Sequence, residues 1–168
     1  MKIKLLTIED KPQLEDLISS IEDNLEKPDY WLPINSTSKE HFFDPEWTIF
    51  LGMFDCEKLI AAVALFLNEH EFGESLEHLD GASGKVAEFG RAMVHPDYRG
   101  NNYLYALNLR LMEVAEEHNI DLAIATIHPD NTPSQKSFKK IGFERKLTYV
   151  KENGFLRDIY VFEFPKKA

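Results

Sequence analysis

The chain has 168 residues, 43% apolar and 12% aromatic. It is expected to form one domain over 1–168, burying roughly two-thirds of its unfolded surface. A formal charge of −10 argues against a general nucleic-acid binder, which needs a cationic face, and the lone Cys56 excludes an internal disulfide or a paired-thiolate zinc site. No run of about 18 apolar residues suggests a membrane span. Met1–Thr7 lacks the long apolar stretch of a signal peptide, so a cytoplasmic location is expected.

Residues 2–8 read as a short strand. Asp10 is the expected N-cap of a first helix with Pro12 in its first turn, and Leu14, Leu17, Ile18, Ile21 and Leu25 repeat at helical spacing. Two prolines between Lys27 and Pro33 end it, and 34–46 reads as an irregular or short helical connection. Trp47–Phe54 and Leu59–Leu67 are strands around an Asp55–Lys58 hairpin turn. The polar stretch Asn68–Lys85, with Gly73, Gly81 and Gly84, reads as a loop. Val86–Val94 is the next strand. Asn101–His118 is a long helix with Leu104, Leu107, Leu111 and Ala115 on one face. Leu122–Ile127 is wholly apolar, as a central parallel strand should be. Thr132-Pro133-Ser134-Gln135 reads as a capping box opening a short helix that Gly142 closes. Phe143–Val150 and Arg157–Phe164 are the last two strands, joined by a turn at Glu152–Gly154. This order predicts an α+β domain with a mixed sheet.

The strand–helix–strand unit at 86–127 is the part most suited to a ligand. Its turn, Arg99-Gly100-Asn101-Asn102-Tyr103-Leu104, puts free amides at a helix start next to a cation and a permissive glycine. Such a turn suits a phosphate or carboxylate. The plain alternative is an ordinary turn with an exposed arginine.

The stretch Val94-His95-Pro96-Asp97-Tyr98-Arg99-Gly100-Asn101-Asn102 resembles the acetyl-CoA motif of the GNAT N-acetyltransferase superfamily. Asn131-Thr132-Pro133-Ser134, then Phe138, then Lys140-Ile141-Gly142-Phe143, resembles that family's second signature. The element order also matches, so the resemblance covers nearly the whole chain. It implies a mostly antiparallel sheet of about seven strands with flanking helices. It implies acetyl-CoA as acyl donor, with its pyrophosphate on the amides of Arg99, Gly100, Asn101, Asn102, Tyr103 and Leu104. The pantetheine arm would lie like an added strand on Ala92, Met93 and Val94, where a bulge commonly opens the gap. An amide near Val94 would polarise the thioester carbonyl, and Asn131 matches the asparagine near the sulfur end.

The pattern is broken in three places. The motif's fourth and sixth positions, usually Gly and Gly or Ala, are Asn102 and Leu104. Asn102 can adopt left-handed angles. Leu104 either crowds the phosphates or turns into the core. Phe138 stands where the family often has a tyrosine acid, which removes tyrosine acid catalysis from that position.

Glu88 is the candidate base, six residues before Val94, where histone-acetyltransferase-type members carry a glutamate. Burial between Ala87 and Phe89 would raise its pKa. The alternative is a strand glutamate paired with Arg91 or facing solvent. Tyr103, Tyr105, Tyr149, Ser134 and Ser137 read as packing or capping groups, and His95 and His128 as turn residues. His70 and His78 lie among glutamates without metal-pair spacing, so no metal site is expected. Acidic neighbours disfavour a Cys56 thiolate.

The expected activity is direct acetyl transfer to an amine of a small molecule or peptide. The rival is an acyl-CoA-binding module without turnover, and a further rival is a loop for another anion such as a nucleotide. A homodimer is compatible with either. Residues 1–84 hold 6 Lys/Arg against 18 Asp/Glu, and residues 85–168 hold 13 against 11. An acidic acceptor side would favour a cationic amine.

Overall fold

The computed structural model describes residues 1–166. In chain order the elements are β1 (Lys2–Leu5), α1 (Lys11–Glu22), α2 (Ser36–Glu40), β2 (Thr48–Asp55), β3 (Lys58–Phe66) and α3 (Glu69–Glu77). There follow β4 (Val86–Val94), α4 (Tyr103–Glu117), β5 (Leu122–Ile127), α5 (Thr132–Lys140), β6 (Glu144–Val150) and β7 (Leu156–Glu163). The strands form one sheet in the order β1-β2-β3-β4-β5-β7-β6. Every neighbouring pair is antiparallel except β4–β5. The mixed, mostly antiparallel sheet expected from the element order is therefore present.

Helices cover both faces. Side chains alternate along a strand, so β3 sends Ala61, Val63 and Leu65 to one side and Ala62, Ala64 and Phe66 to the other. The first face packs on α4 through Leu107, Leu111, Val114 and Ala115, and on α5 through Phe138. The second packs on α1 through Leu14, Leu17 and Ile21, and on α3 through Phe72. Leu107 and Leu111 are fully buried, and truncating either to Ala would cost about 2–5 kcal/mol.

Three local expectations are corrected. The stretch read as a loop at 68–85 contains α3. Gly73 costs about 1 kcal/mol inside a helix, but tertiary packing overrides it: Phe72 and Ser75 are buried and Leu76 packs beside them. Asn68 caps this helix by accepting from the His70 amide at 2.9 Å. Asp10 occupies the N-cap position of α1 as expected, but without a side-chain cap bond, because its carboxylate turns back to accept from the Thr7 amide at 2.8 Å, closing a 3-10 turn that also shortens β1 to Leu5. The Thr132 capping box does not form. The helix starts one residue earlier, with Asn131 at the N-cap, and the Gln135 amide donates to the carbonyls of His128 and Pro129 instead.

The sheet is opened at its middle. Ala62 faces Met93 while Ala64 faces Gly90, so β4 carries one extra residue at Arg91–Ala92. Arg91 takes φ +46, the left-handed angle of a bulge residue. β4 and β5 pair only over Val86–Phe89 and Leu122–Ala125. Beyond those residues the two strands part.

Candidate active site

The gap between the parted strands is the inner end of a cleft of about 370 Å³. One wall is the segment Tyr30–Pro33, which crosses between α1 and α2, and another is the α3 face carrying Glu71 and Glu74. α4, α5 and the β6–β7 turn complete it through Asn108, Phe138 and Lys151.

The Tyr30–Pro33 segment and Asp29 just before it are tied down from three strands. Arg91, thrown out of β4 by the bulge, donates to the carbonyls of Leu32 and Pro33, and its guanidinium lies 5.2 Å from the Trp31 ring. Arg157, 2% exposed on β7, donates to the Asp29 carbonyl at 2.7 Å. His128, just past β5, holds the Asp29 carboxylate at 2.9 Å through Nε2. Its Nδ1 accepts from the Asp130 amide at 3.1 Å, so the ring hydrogen sits on Nε2, facing Asp29. Burial pulls the pKa of both guanidinium groups down.

Glu88 lines this cleft from the last paired stretch of β4. The residue is half-buried, and its carboxyl has no hydrogen-bond partner among the described residues. Burial pushes its pKa up to about 8, against the opposing pull of the Lys151 and Arg91 charges, with Glu71 adding to the rise. The alternative of a Glu88–Arg91 ion pair is not realised, since Arg91 spends its donors on carbonyls. Lys151 pairs with Glu74 at 3.3 Å and donates to the Tyr149 hydroxyl at 3.1 Å. Burial alone would lower the Lys151 pKa, but Tyr149, Glu74 and Glu88 outweigh it and the net shift is upward. The other two acidic groups on the cleft are engaged: Glu71 accepts from Trp47 Nε1 at 3.0 Å, and Glu74 from the Glu152 amide as well as Lys151.

The residues singled out from the sequence fall in two places. Glu88, Ala92, Asn131 and Phe138 line the cleft. Phe138 is 5% exposed and packs edge-on against Phe143, with ring centroids 5.0 Å apart. Met93 does not line the cleft; its side chain is buried in the core packed on α1 and α3. Val94 packs toward α4. The His95 amide bonds the Ile60 carbonyl at 2.8 Å, so the two-residue alternation turns the Val94 amide away from β3, toward the open side. Arg99, Gly100, Asn101 and Asn102 are exposed in the loop before α4, outside the cleft. Gly100 has φ +85 and Asn102 φ +59, so the asparagine does take the left-handed angle. Tyr103 and Leu104 pack half-buried on the core, which settles Leu104 inward.

Sequence reasoning passed over Asn108, Lys151, Arg157 and the Tyr30–Pro33 segment. Asn108 alone carried a local signal, a polar residue between Leu104 and Leu111 on the apolar face of α4. No helix among the described residues is long and apolar enough to cross a membrane.

A family model described as the acetyltransferase (GNAT) family matches residues 12–143. No curated protein matches the sequence. Several solved structures share the fold. An N-acetyltransferase from Staphylococcus aureus is 16% identical with TM-score 0.71, each chain covered to 96%. The ribosomal-protein-alanine N-acetyltransferase from Brucella melitensis is 17% identical with TM-score 0.73, covering 98% of this chain and 100% of its own. The yncA protein from Salmonella typhimurium, solved with its cofactor acetyl-CoA, is 14% identical with TM-score 0.72, covering 100% of this chain and 96% of its own.

Proposed function

The chain belongs to the GNAT acetyltransferase family, and on that premise we propose that it is an N-acetyltransferase that passes the acetyl group of acetyl-CoA directly to an amine of a small molecule or peptide. The observation that carries this reading is the parting of β4 and β5 at the Arg91 bulge, with the unpartnered Glu88 carboxyl beside the opening.

The residues present suit acetyl-CoA. Past Phe89, β4 has no strand partner on its β5 side, so the main chain at Ala92, Met93 and Val94 can take an extended amide-bearing arm. Arg99, Gly100, Asn101 and Asn102, with the first residues of α4, Tyr103 and Leu104, would hold the pyrophosphate at the positive end of the helix. Asn131, whose side chain caps nothing, and Phe138 would flank the thioester end. Bound acetyl-CoA supplies an activated acetyl group.

The chain's own residues do the rest. The cleft holds the acceptor amine against the acyl carbon, which supplies much of the rate. Glu88 takes the proton of the acceptor ammonium, directly or through water. The Val94 amide donates to the acyl oxygen. Phe138 has no proton to give, so solvent fills the acid's place. Because Glu71 and Glu74 already have partners, Glu88 is the acidic group left on the cleft for an incoming cation, and it favours a cationic amine once ionised, above about pH 8.

A second reading, an acyl-CoA-binding module without turnover, draws support from Phe138 in the usual place of the acid. A panel of amines with acetyl-CoA, read by thiol release alongside a melting assay, separates the two. Thiol release with any amine supports the enzyme. A melting shift with no thiol release supports the module, and no shift with any acyl-CoA sinks both.

A further inference from the structure

The fully buried polar residues that line the cleft are Asn108, His128 and Arg157, among those described. His128 is engaged by Asp29 and Asp130, and Arg157 by the carbonyls of Asp29 and Leu156. Asn108 is 2% exposed, and its side-chain amide has no hydrogen-bond partner among the described residues. A primary amide offers two donors and an acceptor, and Asn108 is not among the residues whose polar side-chain atoms are sealed off without a partner, so its amide opens onto the cleft. The neighbours along α4 are apolar, with Leu104, Leu111 and Ala115 on the same side. A polar side chain kept there points to a ligand that meets it.

We infer that Asn108 hydrogen-bonds the amide-bearing arm of the acyl donor, as a binding residue of the donor side of the cleft. The inference rests on the acetyl-CoA reading. Three observations select the arm over the acceptor. Asn108 comes from α4, on the sheet face opposite α1 and α3. It lies on the same helix whose N-terminus forms the anion loop, six residues after Asn102, or about 9 Å along the axis at 1.5 Å per residue. It shares the cleft with Phe89 and Ala125, the last paired residues before β4 and β5 part. An amide in the arm carries both a carbonyl and an N–H, which matches both ends of the asparagine side chain. A phosphate would use only its donors.

Calorimetric titration of wild type and Asn108→Leu with CoA and with adenosine 3′-phosphate 5′-diphosphate, which keeps the pyrophosphate but lacks the arm, tests this. The expected result is a loss of about tenfold in CoA affinity, with affinity for the arm-free nucleotide unchanged within twofold. Asn108→Ala should show the same split, so the test does not depend on leucine fitting. Unchanged CoA affinity in both variants would overturn the inference and leave the acetyl-CoA reading standing. Equal weakening of both ligands would also overturn it, since a general disturbance of α4 acts on either. If wild type binds neither ligand, the acetyl-CoA reading falls, and this inference with it.

Discussion

Replacing Glu88 with Gln should stabilise the protein, and by an amount that grows with pH. The carboxyl is held at about 8 by burial, against an ordinary glutamate value of 4.5. The folded state therefore binds this proton more tightly than the unfolded chain. Stability falls as pH rises from 4.5 to about 8, because the unfolded glutamate ionises while the folded one keeps its proton. Each pKa unit is worth about 1.4 kcal/mol, so the whole displacement amounts to roughly 5 kcal/mol. Between pH 5 and pH 9 the wild type should lose about 4 kcal/mol relative to Glu88→Gln. Urea unfolding of both proteins at half-unit pH steps measures it, and the subtraction removes every other titrating group. A difference that stays flat within about 0.5 kcal/mol would mean that Glu88 ionises in the fold as it does in water. The desolvation argument would then be wrong, and with it the physical reason for assigning Glu88 the proton transfer.

In the pH–rate profile of kcat/KM, the wild type should rise through about pH 8 as Glu88 ionises, and Glu88→Gln should lose that limb while binding acetyl-CoA normally; superimposable profiles exclude Glu88 as the base. Arg99→Glu should weaken acetyl-CoA binding about tenfold at low salt, less at high salt, because it sets a negative charge before the pyrophosphate; equal affinity would sink the loop assignment. Arg91→Ala removes charge-assisted bonds to the carbonyls of Leu32 and Pro33, so limited proteolysis should cut the Tyr30–Pro33 segment sooner. An unchanged digest would show that Arg157 and His128 hold the segment without it.

What could be read in the sequence was what is local. The run Leu59–Leu67 is apolar throughout because β3 is covered on both faces, and Leu107, Leu111 and Ala115 mark the buried stripe of α4. The turn before α4 was legible because its residues are consecutive and include Gly100 and Asn102, which take left-handed angles. α3 was not, because Gly73 interrupts it within a polar, glycine-bearing stretch and what holds it is remote: Ser75 meets the Tyr149 hydroxyl at 2.7 Å, 74 residues along the chain. The same holds for the stretch from Asp29 to Pro33, which Arg91 and Arg157 reach across 58 to 128 residues. Glu88 stands between the two cases. Its position followed from the motif, but its isolation depends on Arg91 being turned away by a bulge, and a bulge is a property of strand register. The uneven charge is reinterpreted in the same way. Residues 1–84 carry 18 Asp/Glu, yet Glu71 and Glu74, the two glutamates of that half on the cleft, are tied to Trp47 and Lys151. Under the proposed function, close-range attraction of a cationic acceptor would rest on Glu88, in the near-neutral half, and only where it is ionised, above about pH 8. The surplus of acid elsewhere acts only through its long-range field, which salt screens within about 10 Å at 0.1 M.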